Sequence, residues 1–66
     1  MTVKEAIQTV QKSYAVREVL IINPLTKQII FYDSVNKVPP RLYSKSVESG
    51  SFSKETGKLL LKVIAK

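Results

Sequence analysis

Cysteine and histidine are both absent from this 66-residue chain. Without thiols no disulfide can brace it. Without thiol or imidazole, no metal site built on those two ligands can form. The same absences remove the commonest general base and the thiol nucleophile from any catalytic scheme. Glycine is scarce: Gly50 and Gly57 are the only two, too few for a loop that cradles phosphate. Long apolar runs are missing as well, since no stretch approaches the roughly 20 residues that span a bilayer. Met1-Thr2-Val3-Lys4-Glu5 lacks the apolar core of a signal peptide. The expectation is therefore a cytoplasmic protein with no membrane partner.

Acidic residues are few. Glu5, Glu18, Asp33, Glu48 and Glu55 are the five carboxylates, and their spacing suggests no pair converging for acid–base work. Ser13 beside Lys12 and Ser44 beside Lys45 are neighbours in sequence, and such neighbours rarely face each other on a helix or strand. The chain reads as no enzyme, with no catalytic residue, no cofactor, no metal and no small-molecule substrate.

Against those five acids stand eleven Lys and Arg, a formal net charge of +6. Such a surplus favours polyanions at low salt. Residues 1–40 carry five basic and three acidic groups, and residues 41–66 carry six and two. Nine of the eleven are lysine, a point charge less suited than arginine to reading phosphates or bases. A solvated, lysine-rich surface is the plain explanation.

What the chain does have is oil in β-forming segments. Val19-Leu20-Ile21-Ile22 and Ile29-Ile30-Phe31-Tyr32 flank Asn23-Pro24-Leu25-Thr26-Lys27-Gln28, a turn in which Asn can bond its own backbone and Pro fixes φ. This pattern predicts a β-hairpin, strands at about 16–22 and 28–33, apolar on both faces. With a period of two, Val19 and Ile21 point one way and Leu20 and Ile22 the other; Ile29 and Phe31 oppose Ile30 and Tyr32. Before it, Thr2 and Glu5 form a capping box. Val3, Ala6, Ile7, Val10 and Tyr14 make one apolar stripe, predicting a helix over about 3–13. After it, Val38-Pro39-Pro40-Arg41-Leu42-Tyr43 reads as a helical turn entered through proline. A weak third strand over 45–53 follows, with a bulge near Gly50. A turn over 54–58 has Gly57 at its positive-φ position, and a fourth strand runs over 59–64. The fold expected is a single α+β domain over 1–66: one N-terminal helix on a small antiparallel sheet, in the order α-β-β-(short α)-β-β.

A chain of this size buries only about 60% of its unfolded surface, and one helix can roof only about one sheet face. The other face suggests a partner, because monomers seldom leave a large apolar patch bare. Val19, Ile21, Ile30, Tyr32 and Leu60 are the candidate interaction surface, with a second copy (a homodimer) or a host protein as the occupant. The alternative is a compact monomer in which 38–43 and the C-terminus wrap the second face. A different reading is a small basic nucleic-acid-binding protein. Sheet aromatics would stack bases while lysines track the backbone, and Arg41, Tyr43, Lys45, Lys54, Lys58 and Lys62 are its candidate contacts.

Several segments carry a resemblance: Ile29-Ile30-Phe31-Tyr32-Asp33, Val38-Pro39-Pro40-Arg41-Leu42, Val47-Glu48-Ser49 and Gly57-Lys58-Leu59-Leu60-Leu61. Together they are similar to small proteins of phages, prophages and integrative elements of Gram-positive bacteria. Those proteins share a capped helix, a hairpin, an Ile-Pro-x-x-Leu turn and a terminal strand after Gly-Lys. This chain departs from them in its Val-Pro-Pro and in its Ser/Gly-rich 49–53. The resemblance implies an accessory role in the cytoplasm of a bacterial host cell, binding a host protein, and carries over no site residue.

Overall fold

The computed structural model describes residues 1–64. Helix α1 spans Val3–Gln11, and four strands follow: β1 Glu18–Ile22, β2 Ile29–Ser34, β3 Val47–Ser53 and β4 Lys58–Val63. Two 3₁₀ turns, Val35–Lys37 and Pro40–Leu42, lie between β2 and β3. One helix on a four-stranded sheet is the expected α+β layering, in the expected order.

The capping box forms as the sequence predicts. The Glu5 amide donates to Thr2 Oγ1 at 3.3 Å, and the Thr2 amide donates to Glu5 Oε1 at 3.0 Å. The next two free amides are satisfied from elsewhere: Val3 N donates to the Lys45 carbonyl at 3.0 Å and Lys4 N to that of Tyr43 at 3.1 Å. All four amides that a helix start leaves unpaired are thus taken. The last two tie α1 to the segment leading into β3. Val47 N adds a bond to the Met1 carbonyl at 2.7 Å. The helix ends at Gln11 rather than 13; the Ser13 amide bonds the Val10 carbonyl, three residues back, at 3.1 Å in the tighter pattern of a helix end.

The sheet order is β2-β1-β4-β3. Each hairpin is antiparallel, as expected, but the central pair β1/β4 is parallel, so the sheet is mixed. The chain achieves this by carrying residues 35–46 back across the helix side before β3 begins. Prolines 39 and 40 suit that path: Pro40 occupies the first turn, where no amide is needed. Consecutive apolar residues in β1 and β4 agree with a central place, flanked on both edges. Serine-rich β3 takes an edge.

Strand bounds differ from the reading by one or two residues, and the bulges lie elsewhere. One falls between Val47 and Ser49, leaving Glu48 extra, and another in β2 opposite Ile21 and Ile22. Gly50 is instead a close-approach position, where a Cβ would come within 3.0 Å of Leu61 Cδ2 and of the Leu60 carbonyl. Gly57 has the expected positive φ, 70°, and its carbonyl accepts from Arg17 N at 2.8 Å. In the first hairpin Asn23 Oδ1 accepts from Leu25 N at 3.0 Å, and Lys27 takes the left-handed conformation at φ 61°.

The core lies between α1 and one sheet face. Val3, Ala6 and Ile7 meet Val19, Ile21, Leu59, Leu61 and Val63, closed at one side by Val16, Val38 and Leu42. Val10, Phe31 and Phe52 pack around it. Residues 38–43 therefore belong to the roofed side; they do not wrap the second face. The part of that expectation beyond residue 64 lies outside the described residues.

Candidate interaction surface

The strand register generates the second face row by row. Across β2-β1-β4-β3, one row is Ser34, Glu18, Lys58 and Ser53. The next is Tyr32, Leu20, Leu60 and Ser51, and the third is Ile29, Ile22, Lys62 and Ser49. Alternation puts these opposite the buried set Val19, Ile21, Leu59 and Leu61. No helix or 3₁₀ turn of the described residues is packed over this side: the helix, both turns and the core are on the other.

The centre of the face is apolar. Leu20, Ile22 and Leu60 are half-buried by their neighbours alone. At the β2 edge Ile29 is 64% exposed, Ile30 36% and Tyr32 48%. The β2 bulge inserts Ile30 as an extra residue, which leaves two isoleucines side by side at the rim. Two cations frame the patch on β4. Lys58 reaches across β1 so that its Nζ sits 5.1 Å from the Tyr32 ring centroid, within cation–π range. Hydrogen bonding to the Tyr32 hydroxyl, with a smaller pull from Glu18, holds the Lys58 ammonium above the usual lysine range. Lys62, next to Ile22, is exposed.

Of the five residues expected to form the surface, Ile30, Tyr32 and Leu60 are on this face. Val19 and Ile21 are not. They are 0% and 1% exposed and lie under α1, so their place in the surface is corrected to Leu20 and Ile22. The signal was available: Glu18 shares the parity of Leu20 and Ile22, and Lys58 and Lys62 share that of Leu60. Charges at both ends of a parity class mark the solvent side.

The nucleic-acid candidates do not converge. Lys58 and Lys62 are on the open face. Lys54 is on the helix side, its Nζ 5.1 Å from the Tyr14 ring. Tyr14 in turn packs on Phe52, with centroids 5.4 Å apart. Arg41 and Lys45 flank a shallow recess with Ile64, and Tyr43 is half-buried against the core. Phe31 and Phe52 are turned toward the core too. Tyr32 is the one ring on the open face.

Other recesses are less suited to a ligand. Between α1 and β3 runs an open furrow of about 580 Å³ lined by Met1, Val10, Val47, Gly50 and Phe52. It opens on the helix side of β3, where Gly50 has no side chain. The helix N-terminus, with its amides all bonded, offers nothing to an anion. Among the described residues no cluster of three or more carboxylates could hold a metal ion, and no helix is long and apolar enough to cross a membrane. Comparison with protein-family models, with curated proteins and with solved structures found no match.

Proposed function

We propose that this chain is a non-enzymatic protein-interaction module whose docking surface is the open sheet face. The observation that carries this reading is the contiguous patch of Leu20, Ile22, Ile29, Ile30, Tyr32 and Leu60, apolar at its centre and ringed by Glu18, Lys58, Lys62 and serines. An apolar centre within a polar rim is the anatomy of protein contacts, and an unmatched patch of this kind is unusual on a monomer. A nucleic-acid platform would need successive rings on which bases could stack; this face has one ring and the basic residues are scattered over three sides. The resemblance to small phage and prophage proteins supports an accessory role in a bacterial cytoplasm.

The test is photo-crosslinking in native cells from p-benzoylphenylalanine in place of Tyr32, with a control probe in place of Lys54. Protein adducts from position 32 and none from position 54 are expected. Adducts to nucleic acid alone, or none, would overturn the reading. A salt-sensitive shift of a labelled single-stranded oligonucleotide, abolished by Tyr32→Ala, would replace it with the nucleic-acid one.

A further inference from the structure

We infer that the occupant of the open face is a second copy of this chain, stacked face to face about a two-fold axis that runs along the strands between β1 and β4. This rests on the docking reading above and names its partner.

The argument is one of matching rows. Two aligned sheets pack about 10 Å apart, and a symmetric pair must present the same patch to itself. Only two in-plane axes keep the strands aligned. One runs along the strands and lays β1 of one copy over β4 of the other. The pairing Glu18↔Lys58, Leu20↔Leu60 and Ile22↔Lys62 then becomes the pairing between copies. Glu18 meets the other copy's Lys58, twice by symmetry. Leu20 meets Leu60, also twice. Ile22 lies along the Lys62 stem, whose ammonium can reach water past the rim. At the edges Tyr32 falls over Ser51, Ile29 over Ser49 and Ser34 over Ser53. No like charges face each other.

The second axis runs across the strands. It lays β4 over β4 in reverse, so that Lys58 faces Lys62 twice and Glu18 faces Ile22. Like-charge contact of this kind is strongly unfavourable, and nothing in that arrangement offsets it. The distribution of Glu18, Lys58 and Lys62 therefore selects the strand-parallel axis. It also selects a copy of itself as a partner that supplies both the missing oil and the opposite charge at the right row. Four strands at about 4.8 Å and five residues at about 3.3 Å give a face of roughly 19 by 17 Å. That is small for a stable interface, so a concentration-dependent dimer with a Kd in the micromolar range, on the order of 10–100 µM, is expected.

The test is sedimentation velocity of the purified full chain from about 10 µM to about 1 mM in low salt, with circular dichroism as the check on folding. Wild type should pass from monomer to dimer. Glu18→Lys sets lysine against lysine at both copies of this row, and Lys58→Glu sets glutamate against glutamate there. Each single variant should weaken dimerisation at least about tenfold. An equimolar mixture of the two should dimerise again, because every facing pair is then of opposite sign. The double exchange E18K/K58E should dimerise alone; it keeps an opposite-sign neighbour within each chain and so guards against misfolding of a single variant. A wild-type chain that stays monomeric at about 1 mM would overturn the proposal, as would a dimer indifferent to these exchanges. A monomeric purified chain that still forms position-32 adducts with another protein in cells would sink the second-copy inference alone and leave the docking reading standing. Absence of both would sink both.

Discussion

Leu20 and Ile21 are adjacent in β1, nearly equal in size and apolarity, and yet their environments have little in common. Ile21 is 1% exposed between Leu61, Phe31 and the helix layer, whereas Leu20 looks out from the uncovered side between Tyr32 and Leu60. The two faces of one sheet thus separate the two uses of apolar surface. The roofed face holds the fold together; the bare face is free to contribute to something else. Their difference comes from the position of α1, which the bonds to Lys45 and Tyr43 pin to one side, and of residues 38–43, which close the same side.

The comparison can be broken most violently from the roofed side. Ile21→Ala should cost about 2–5 kcal/mol, the transfer term plus an unfilled cavity, a large share of the roughly 5–15 kcal/mol typical of a domain. A urea titration should show the midpoint falling accordingly, or no folded baseline at all. Loosening the roof should cost less: Thr2→Ala removes the N-cap acceptor and should lower stability by about 1 kcal/mol, read in the same titration.

The roof should also weaken in acid. The Thr2 backbone amide, then its hydroxyl, hold the Glu5 carboxyl below its ordinary value of 4.5. A carboxyl lowered by folding contributes stability above its unfolded pKa and loses it as pH falls through the folded one. Thermal melts taken downward from about pH 5 should therefore show a decline that Glu5→Gln flattens. If Glu5→Gln leaves the acid limb unchanged, the cap is not its source.

On the hairpin that carries the bare face, Lys27→Gly should stabilise by about 0.5–1 kcal/mol, because glycine occupies a positive φ without the cost a side chain incurs there. For a chain of this size that corresponds to a rise in melting temperature of a few degrees. The smallest effect should come from the bare face itself. Ile29→Thr keeps the β-branch at a residue 64% exposed, so dilute-solution stability should stay within about 0.5 kcal/mol of wild type. A loss as large as that of Ile21→Ala would mean that the two faces are not distinct.

Much of this organisation was legible in the sequence, and the limits have physical causes. The cap and helix stripe are local, as are both turns, so residue type and spacing suffice. The parallel pairing of β1 with β4 depends on how residues 35–46 travel, which no local pattern encodes. The choice of face for Val19 and Ile21 turned on reading apolarity without its neighbours: Glu18 at one end of β1, and Lys58 and Lys62 around Leu60, mark the wet side. Asp33 gives the opposite signal in β2, where its parity matches Phe31; at an open edge even a roof-side position reaches solvent. Bulges are harder still, since one extra residue at Ile30 or Glu48 leaves no trace in composition.

The union of β1 with β4 has a kinetic consequence. Each hairpin closes over a short loop, an event of microseconds. Joining Glu18–Ile22 to Lys58–Val63 pairs residues 40 apart in the sequence, as Glu18 with Lys58, and that search is slower because distant contacts cost more chain entropy. Refolding should accordingly show hairpin signals ahead of the burial of Leu61, with the core-side residues of both halves, Val19 and Ile21 in one and Leu59 and Leu61 in the other, accessible to other molecules until the halves merge.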